Sequence, residues 1–456
     1  MREPSRSPFP HLFTLVMTYK YFPHTEADTK EMLAKIGVGS LEELYAEVPD
    51  SVKLHRDYQL PDAMSEVEIR QLFAQLGKQN RQLTCFAGAG VYDHYTPAVI
   101  PGLVERSEFR TSYTPYQAEI SQGTLHYIFE YQSMMAELTG MDISNASMYD
   151  GTTATAEAVL MANAVSKKSH KVLVSETVDK KTLAVINTYA HFHGVDIELI
   201  AALDGATSKA DLDQKLSLGD VAGVVVQQPN CYGIVEDFTG YADACHQQKA
   251  LFIVNGIAAD LALLKTPGEW GADVAVGDGQ SLGIPMSFGG PSVGYMCCTE
   301  KLMRKMPGRI VGKTLDQNGQ RAFVLTLQAR EQHIRRQKAT SNICSNESLM
   351  ALWVTIYMSL LGKEGIKEAA QTSYDGAHYL YDRLLQSGKF EAAFNRPFFN
   401  EFCVRYHGDV DSLLAKLQAN GIMGGVKVAD NTLMVAVTEK RTKDEVDRYI
   451  KLTTEN

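Results

Sequence analysis

The sequence predicts an α/β protein with a large domain built on a mostly parallel sheet, a smaller α+β domain after it and a helical arm before it. In the middle of the chain, short patterns of buried strands alternate with helical patterns, which is typical of a parallel sheet covered on both faces. After Lys301 the pattern changes to a basic segment, a long apolar helix and two strands around a helix. Residues 25–76 have helical periodicity with short breaks.

The length of 456 residues allows two or three domains. We expect residues 1–16 to be a non-native or disordered extension, with translation beginning at Met17. The helical arm then takes residues 17–80, the large domain residues 81–330 and the C-terminal small domain residues 331–456. An arm of this kind packs across a partner subunit or on its own chain, and the sequence leaves both open.

The elements of the large domain follow from local patterns. Helices are expected near Lys180–His193, Leu212–Leu216 and Phe238–Lys249. Between and after them the chain carries the buried-strand patterns KVLVS, VDIELI, AGVVVQ, LFIVN, DVAVG and SVGYMC. Because ligands of such sheets bind beyond the carboxyl ends of the strands, those ends are where a site is expected.

Composition excludes several classes of function. The chain has 44 Lys and Arg against 54 Asp and Glu, a net charge of −10, which does not favour nucleic-acid binding. Its 7 cysteines form no C-x-x-C motif and fit a reducing cytoplasm. We see no apolar run approaching the ~18 residues that cross a bilayer, so no membrane is expected as a partner.

The stretch from Ser112 to Ala158 is the centre of the large domain. A helix is expected to begin at Pro115 and to end at Gly140. A polar turn then leads into a second helix near Gly151, an entry of the kind that binds phosphate. Asp150 at that entry would serve as an N-cap and would repel a phosphate dianion, so capping and an anion site both stay open.

Long strings in this chain resemble the glycine cleavage system P-protein. They include SYTPYQAEISQGTLHYIFEYQ, LTGMDISNASMYDGTTATAEA and LQAREQHIRRQKATSNICSNESLMALWVTIYMSLLGKEGI. The similarity extends over almost the whole chain from Met17, and it is strongest to the first, or alpha, subunit of the two-subunit form. The resemblance implies the aminotransferase-like fold of pyridoxal phosphate enzymes, known as fold type I.

The resemblance also shows where a cofactor site would lie, and there the chain departs from the pattern. The lysine that binds pyridoxal phosphate covalently falls on Gln280, and the acid that would face the pyridine nitrogen falls on Asn255. Asp260 would have to reach back to replace that acid. There is no lysine between Lys265 and Lys301, and we interpret Lys265 as a solvated loop charge. We therefore expect no covalently bound cofactor on this chain and no aldimine formed by it.

Two loops carry polar and aromatic residues that such a pocket does not need. Tyr92, His94 and Tyr95 lie in GVYDHYTP, and Tyr113, Tyr116 and Gln117 lie in SYTPYQ. Aromatic loop packing explains any one of them. In a family whose active site lies at a subunit boundary, they are also the best candidates to reach into the pocket of a partner.

The densest basic segment is REQHIRRQK, with Arg330, His333, Arg335, Arg336 and Lys338. It is either a solvated helix face or a docking site for an acidic carrier protein, and arginine favours bidentate contact with carboxylates. The residues alone do not decide between these hypotheses.

The function implied by the resemblance belongs to a complex. A second subunit would hold pyridoxal phosphate and decarboxylate glycine, and the aminomethyl group would pass to the lipoyl group of H-protein. This chain would complete the pocket, in an assembly of two plus two subunits. The alternatives are a self-sufficient pyridoxal phosphate enzyme, such as an aminotransferase, and a regulatory pseudoenzyme.

Overall fold

The computed structural model describes residues 23–56, 58–166, 168–339 and 341–455. The predicted extension 1–16 and the start at Met17 lie outside the described residues. Contacts divide the chain into two compact units, one up to Asn80 and one from Arg81 onward. The division predicted between residues 330 and 331 stays a prediction.

The α-helices are α1 (Glu26–Ile36), α2 (Glu66–Gly77), α3 (Val99–Val104), α4 (Ser107–Arg110), α5 (Gln122–Thr139), α6 (Gly151–Val165), α7 (Lys180–His193), α8 (Lys209–Ser217), α9 (Tyr241–Gln247), α10 (Gln332–Arg335), α11 (Ser348–Gln386), α12 (Val410–Ala419) and α13 (Lys443–Thr454). The strands are β1 (Thr84–Cys85), β2 (Ile143–Ser144), β3 (Lys171–Ser175), β4 (Asp196–Ile200), β5 (Ala202–Leu203), β6 (Ala206–Thr207), β7 (Val221–Gln228), β8 (Leu251–Ile257), β9 (Val274–Asp278), β10 (Gly294–Cys298), β11 (Ile310–Leu315), β12 (Arg321–Thr326), β13 (Phe390–Ala392), β14 (Glu401–Tyr406), β15 (Ile422–Met423), β16 (Val426–Ala429) and β17 (Thr432–Ala436).

The N-terminal unit contains the helices α1 and α2, and each begins with a capping box, made by Thr25 with Asp28 and by Ser65 with Glu68. The segment between them, which lies within the stretch of predicted helical periodicity, forms the 3₁₀ turns Glu42–Tyr45 and Asp50–Val52. Large apolar side chains along the unit are exposed, as those of Phe73 and Leu72 illustrate.

The large sheet of the second unit has seven strands in the order β2-β10-β9-β8-β7-β3-β4. The strands β9, β8, β7, β3 and β4 run parallel, whereas β10 is antiparallel to its neighbours β9 and β2. All residues of β7 are buried, as expected for a strand covered on both faces. The predicted mostly parallel α/β architecture is confirmed.

The helix predicted from Pro115 begins seven residues later, at Gln122, so that prediction is wrong at its start. Ile120, which lies within the predicted helix, is 81% exposed, and the buried face of α5 starts at Thr124. Packing on the core, rather than the proline and cap signals, therefore sets where this helix begins. Its end is as predicted, because Gly140 adopts the left-handed conformation with φ 66°.

The long apolar helix predicted after the basic segment corresponds to α11. It continues beyond a kink at Gly362, whose φ of 60° and ψ of −174° are not helical. By length and composition alone this helix could cross a membrane, a property that the sequence interpretation overlooked. Its buried residues, among them Ala351 and Val354, pack in a core cluster with α5 and β10, so we assign α11 to the protein core.

The C-terminal part carries a second sheet, antiparallel, in the order β13-β14-β17-β16. The helices α12 and α13 and the second half of α11 supply apolar side chains to one core with this sheet. The two strands predicted around a helix correspond to β14 and β17, with α12 between them in sequence.

Candidate functional site

A pocket of about 140 Å³ lies at the carboxyl ends of β7, β8 and β9, beside the first turn of α6. This is the edge of a parallel sheet at which ligands bind. The loop of residues 89–92 forms another part of its wall. We call it the sheet-edge pocket.

Gln280 lines the sheet-edge pocket and is almost fully buried. Its side-chain amide donates to the backbone carbonyls of Tyr92 at 2.9 Å and Ile284 at 2.7 Å, and its carbonyl accepts from the backbone N–H of Tyr92 at 3.0 Å. Both N–H groups of the amide are thus used within the chain, so Gln280 has no donor left for a ligand. Gln280 fastens the loop that carries Tyr92 across the strand end.

Asn255 lies in β8 and also lines the pocket. Its amide donates at 3.3 Å to the side-chain carbonyl of Gln227, which also accepts from the backbone N–H of Asp179 at 2.9 Å. Asp260 lies past the strand end, is buried, and does not line the pocket. Burial, reinforced by the nearby Glu401, raises the pKa of Asp260 well above its usual range.

The N-terminus of α6 is occupied by carboxylates of the chain itself. Asp150 caps the helix by accepting from the backbone N–H of Thr153 at 2.8 Å. Asp278, at the end of β9, accepts from the backbone N–H of Gly151 at 3.0 Å and from that of Gln280 at 2.8 Å. Of the two hypotheses left open by the sequence, capping by Asp150 is confirmed, and Asp278 fills the first N–H that an anion would use.

Lys181 contributes to the lining of the sheet-edge pocket, although its side chain is exposed. The sequence interpretation considered only Lys265, whose ammonium lies 3.7 Å from the ring centre of Trp270. Lys181 is therefore an amine at this pocket that the sequence interpretation did not consider. It lies in the first turn of α7, six residues after the end of β3 at Ser175.

Tyr92 is buried next to the carboxylate of Glu401 and is not part of the surface. Its hydroxyl donates to Glu401 at 3.0 Å, and the same carboxylate accepts from the backbone N–H of Ala89 at 2.7 Å. Burial raises the pKa of Glu401 to about 7. A Cβ at Gly88 would lie 2.1 Å from Glu401 Oε1, so only glycine permits this close approach.

His94 is only 5% exposed, and its Nδ1 lies 2.7 Å from Glu439 Oε2. Glu439 also accepts from the backbone N–H of Tyr95 at 2.7 Å. Burial alone would raise the pKa of Glu439, but the hydrogen bond from His94 and those from the backbone outweigh it, so the pKa lies below its usual value. His94 Nε2 is buried with no hydrogen-bond partner in the described structure.

The other aromatic candidates are at the surface. Tyr113 is 87% exposed, Tyr116 54% and Tyr95 56%, and Gln117 is exposed as well. Of the six residues proposed to reach a partner, the structure thus separates Tyr92 and His94, which are buried, from four that are accessible.

The structure brings Tyr116 together with the basic segment. The ring of His333 lies 6.4 Å from that of Tyr116, edge to face, and the guanidinium of Arg309 lies 5.5 Å from the same ring. Arg309 is buried and donates to Ser345 Oγ at 3.0 Å and to the carbonyl of Cys344 at 2.7 Å. We call Tyr116, His333 and Arg309 the aromatic-basic cluster. No local signal marked Arg309, because it joins the cluster only through tertiary contact.

The remaining basic residues differ in their surroundings. Arg330 is partly buried and donates to the carbonyls of Gly308 at 2.7 Å and Leu327 at 3.1 Å. Burial lowers its pKa. Arg335, Arg336 and Lys338 are exposed, and Arg335 donates to the carbonyl of Ala329 at 3.2 Å. Arg330 therefore supports the backbone, while the exposed three are accessible to a partner.

The fold places this chain among the aminotransferase-like proteins of pyridoxal phosphate fold type I. It superposes on an alanine–glyoxylate aminotransferase from Nostoc sp. with a TM-score of 0.60 and 16% identity, over 87% of this chain and 97% of that one. A crystal structure of glycine decarboxylase (P-protein) of the glycine cleavage system, in inhibitor-bound form, matches with a TM-score of 0.84 and 40% identity, over 95% of this chain and 99% of that one.

The family model of the glycine cleavage system P-protein matches residues 19–453, and the chain belongs to that family. It is 47% identical over 441 residues to the probable glycine dehydrogenase (decarboxylating) subunit 1 of Listeria monocytogenes serotype 4b (strain CLIP80459), covering 95% of this chain and 98% of that protein. The protein of the same name from Geobacillus thermodenitrificans (strain NG80-2) is also 47% identical, over 443 residues. The resemblance seen in the sequence is confirmed, and so is a role in the glycine cleavage system.

Proposed function

We propose that this chain is the subunit of glycine dehydrogenase (decarboxylating) that binds no covalent cofactor and completes the active site of a second, related subunit. The observation that carries the proposal is Gln280. It stands where the resemblance puts the cofactor lysine, and its amide is engaged in three hydrogen bonds that fasten the pocket wall.

The residues of the sheet-edge pocket do not fit pyridoxal phosphate. Asn255 offers an amide where the pyridine nitrogen would require a carboxylate. The N–H of Gly151 donates to Asp278, so a phosphate at the helix start would have to displace a carboxylate. Lys181 supplies an amine at the wall, but it starts a helix beside the site and does not follow the strand β9. In the proposed reaction no cofactor bound to this chain takes part.

The second subunit would hold the pyridoxal phosphate, which supplies the electron sink for decarboxylation. Glycine would lose its carboxyl group as carbon dioxide, and the aminomethyl group would pass to the lipoyl group of H-protein. This chain contributes binding, orientation and exclusion of water. The exposed residues Tyr95, Tyr113, Tyr116 and Gln117 are our candidates for these roles.

The aromatic-basic cluster is our candidate for the entry of the carrier. The ring of His333 lies beside an exposed phenol, and the exposed Arg335 on the same short helix offers positive charge, which suits an acidic carrier surface. Arg330 acts indirectly by holding Gly308 and Leu327.

We further propose an assembly of two copies of each subunit, since oligomers favour closed symmetry. The enzyme would work in the cytoplasm, without nucleic acid or membrane as a partner. No observation favours a self-sufficient pyridoxal phosphate enzyme or a regulatory pseudoenzyme over this proposal.

The test compares the purified chain with the chain after addition of its second subunit. We expect the chain alone, mixed with pyridoxal phosphate, to show no aldimine absorption and no exchange of the glycine carboxyl carbon, and we expect the pair to show both. Borohydride treatment of the isolated chain, followed by peptide mass spectrometry, should find no pyridoxyl group at unit stoichiometry. A stoichiometric adduct on Lys181 that disappears in Lys181→Arg, together with exchange by the chain alone, would refute the proposal.

A further inference from the structure

A second cavity, of about 380 Å³, lies away from the sheet-edge pocket and shares no residue with it. Its walls come from the C-terminal half of α5, the segment of residues 261–266 after β8, and α11 at its kink. Apolar side chains form most of the wall, contributed by Met134, Leu138, Leu261, Met358 and Ile366. We call it the kink cavity.

The kink at Gly362 explains why the cavity is open. The helix α11 is interrupted there by a residue with φ 60° and ψ −174°. A Cβ built on Gly362 would meet no atom within 4 Å apart from those of its chain neighbours, so no other part of the described chain covers the cavity at this residue. The apolar wall is therefore accessible from outside.

Two lysines stand at the rim, one helical turn apart. Lys363 and Lys367 line the cavity and are exposed, and Glu137 lines it from α5. In the part of the chain that the structure describes, none of the three forms a salt bridge. With two lysines and one glutamate in the lining, the rim carries a net positive charge.

We propose that the kink cavity binds an aliphatic anion, with an unbranched apolar chain against Leu261 and Met358 and its anionic head between Lys363 and Lys367. The volume lies in the range of small-ligand sites, which combine an apolar lining with few polar groups. Two turns of a partner helix, about 10 Å across, would need roughly twice this space. A small amphipathic ligand fits better than a protein segment.

This inference goes beyond the proposed function, because it uses no residue of the sheet-edge pocket or of the aromatic-basic cluster. It predicts binding by the full-length chain whether or not that chain has its second subunit. Failure of the binding test therefore leaves the role in glycine cleavage unaffected.

The experiment is isothermal titration calorimetry of the full-length chain with sodium octanoate. We expect one saturable site, with affinity rising about threefold to fourfold for each methylene added between hexanoate and decanoate. Octanol and octylamine, which have the same chain without the negative charge, should bind at least about tenfold more weakly.

Matched variants distinguish the contribution of the anionic head to binding from that of the apolar chain. Lys363→Ala/Lys367→Ala should weaken octanoate binding about tenfold and leave octanol binding unchanged, whereas the charge-matched control Lys301→Ala/Lys313→Ala should bind as the parent does. Ala262→Trp, placed in the wall, should abolish binding of both ligands by filling the cavity. All four substituted lysines are exposed, so these variants should fold.

Three results would overturn the inference. They are the absence of saturable octanoate binding, equal affinity for octanoate and octanol, and equal loss of affinity in the rim variant and the control variant.

Discussion

The sheet-edge pocket and the aromatic-basic cluster are both polar, but they differ in where their hydrogen bonds end. In the pocket, the side chains of Gln280 and Asp278 form hydrogen bonds with other groups of the same chain. In the cluster, Tyr116 and His333 present accessible rings, and Arg309 beneath them leaves its Nε buried without a partner in the described structure. A site whose polar groups are hydrogen-bonded within the chain contributes to stability. A site with accessible groups and incomplete hydrogen bonding is suited to binding a partner.

The largest expected effect comes from returning a lysine to the pocket. Gln280→Lys removes three hydrogen bonds and buries an ammonium group, so we expect the free energy of unfolding to fall by about 4 kcal/mol. Urea unfolding measures this, and the absorption spectrum with pyridoxal phosphate should stay free of an aldimine band. Asn255→Ala, which loses only one long hydrogen bond, is the control and should lose less than about 1 kcal/mol. A Gln280→Lys protein that is as stable as the parent and shows an aldimine band with pyridoxal phosphate would contradict the proposed difference between the two regions.

The second effect concerns pH and the loop that Glu401 holds. Its pKa is about 7 in the folded chain and ordinarily 4.5, so the folded state binds its proton more tightly. The contribution of Glu401 to stability is present below pH 4.5 and is lost as the pH rises from there to about 7, by about 3 kcal/mol. Glu401→Gln does not titrate, so its stability relative to the parent should rise by that amount between pH 4.5 and pH 7.5. Parallel stability curves for the two proteins across this range would show that the loop is not held in this way.

The third effect separates exposed from buried aromatic residues. Tyr113→Ala and Tyr116→Ala should each slow turnover of the assembled enzyme about tenfold while changing the unfolding free energy by less than about 0.5 kcal/mol, because both side chains are exposed. His94→Ala should instead lower the stability of the chain by about 3 kcal/mol, since it leaves Glu439 without its buried partner. If the tyrosine variants turn over normally, the exposed residues are not part of the active site.

The smallest effect is expected at the basic segment. Arg335→Ala should raise the apparent KM for H-protein about threefold with kcat unchanged, as is usual for a charge at the rim of an interface. Arg330→Ala should leave that KM alone and lower the unfolding temperature, because its guanidinium holds two backbone carbonyls. If Arg330→Ala raised the KM and Arg335→Ala lowered the unfolding temperature, the roles of the two arginines would be exchanged.

The sequence predicts those features that depend on neighbours along the chain. The cap by Asp150, the end of α5 at Gly140 and the helix Lys180–His193 all follow from local patterns. The start of α5 did not, because the burial of Thr124 and not the local signal at Pro115 decides it.

The candidate site was only partly predictable, because its decisive contacts are distant in sequence. The absence of a lysine at Gln280 and of an acid at Asn255 could be predicted from their positions in the sequence. The hydrogen bonds between Gln280 and Tyr92 could not, because these residues are 188 positions apart. The bond between Ala89 and Glu401 spans 312 residues, and the approach of Arg309 to Tyr116 is likewise tertiary. Periodicity carries no information about such pairs.

The arm of residues 23–80 has a consequence for how cells must make this protein. Among its described residues Leu33 is the buried large apolar one, and the side chains of Phe73, Ile36 and Leu60 are open to solvent. Copies of this chain synthesised in excess over the second subunit would expose this apolar surface to proteases and to one another. We expect expression of the two subunits to be balanced, and surplus copies of this chain to be short-lived.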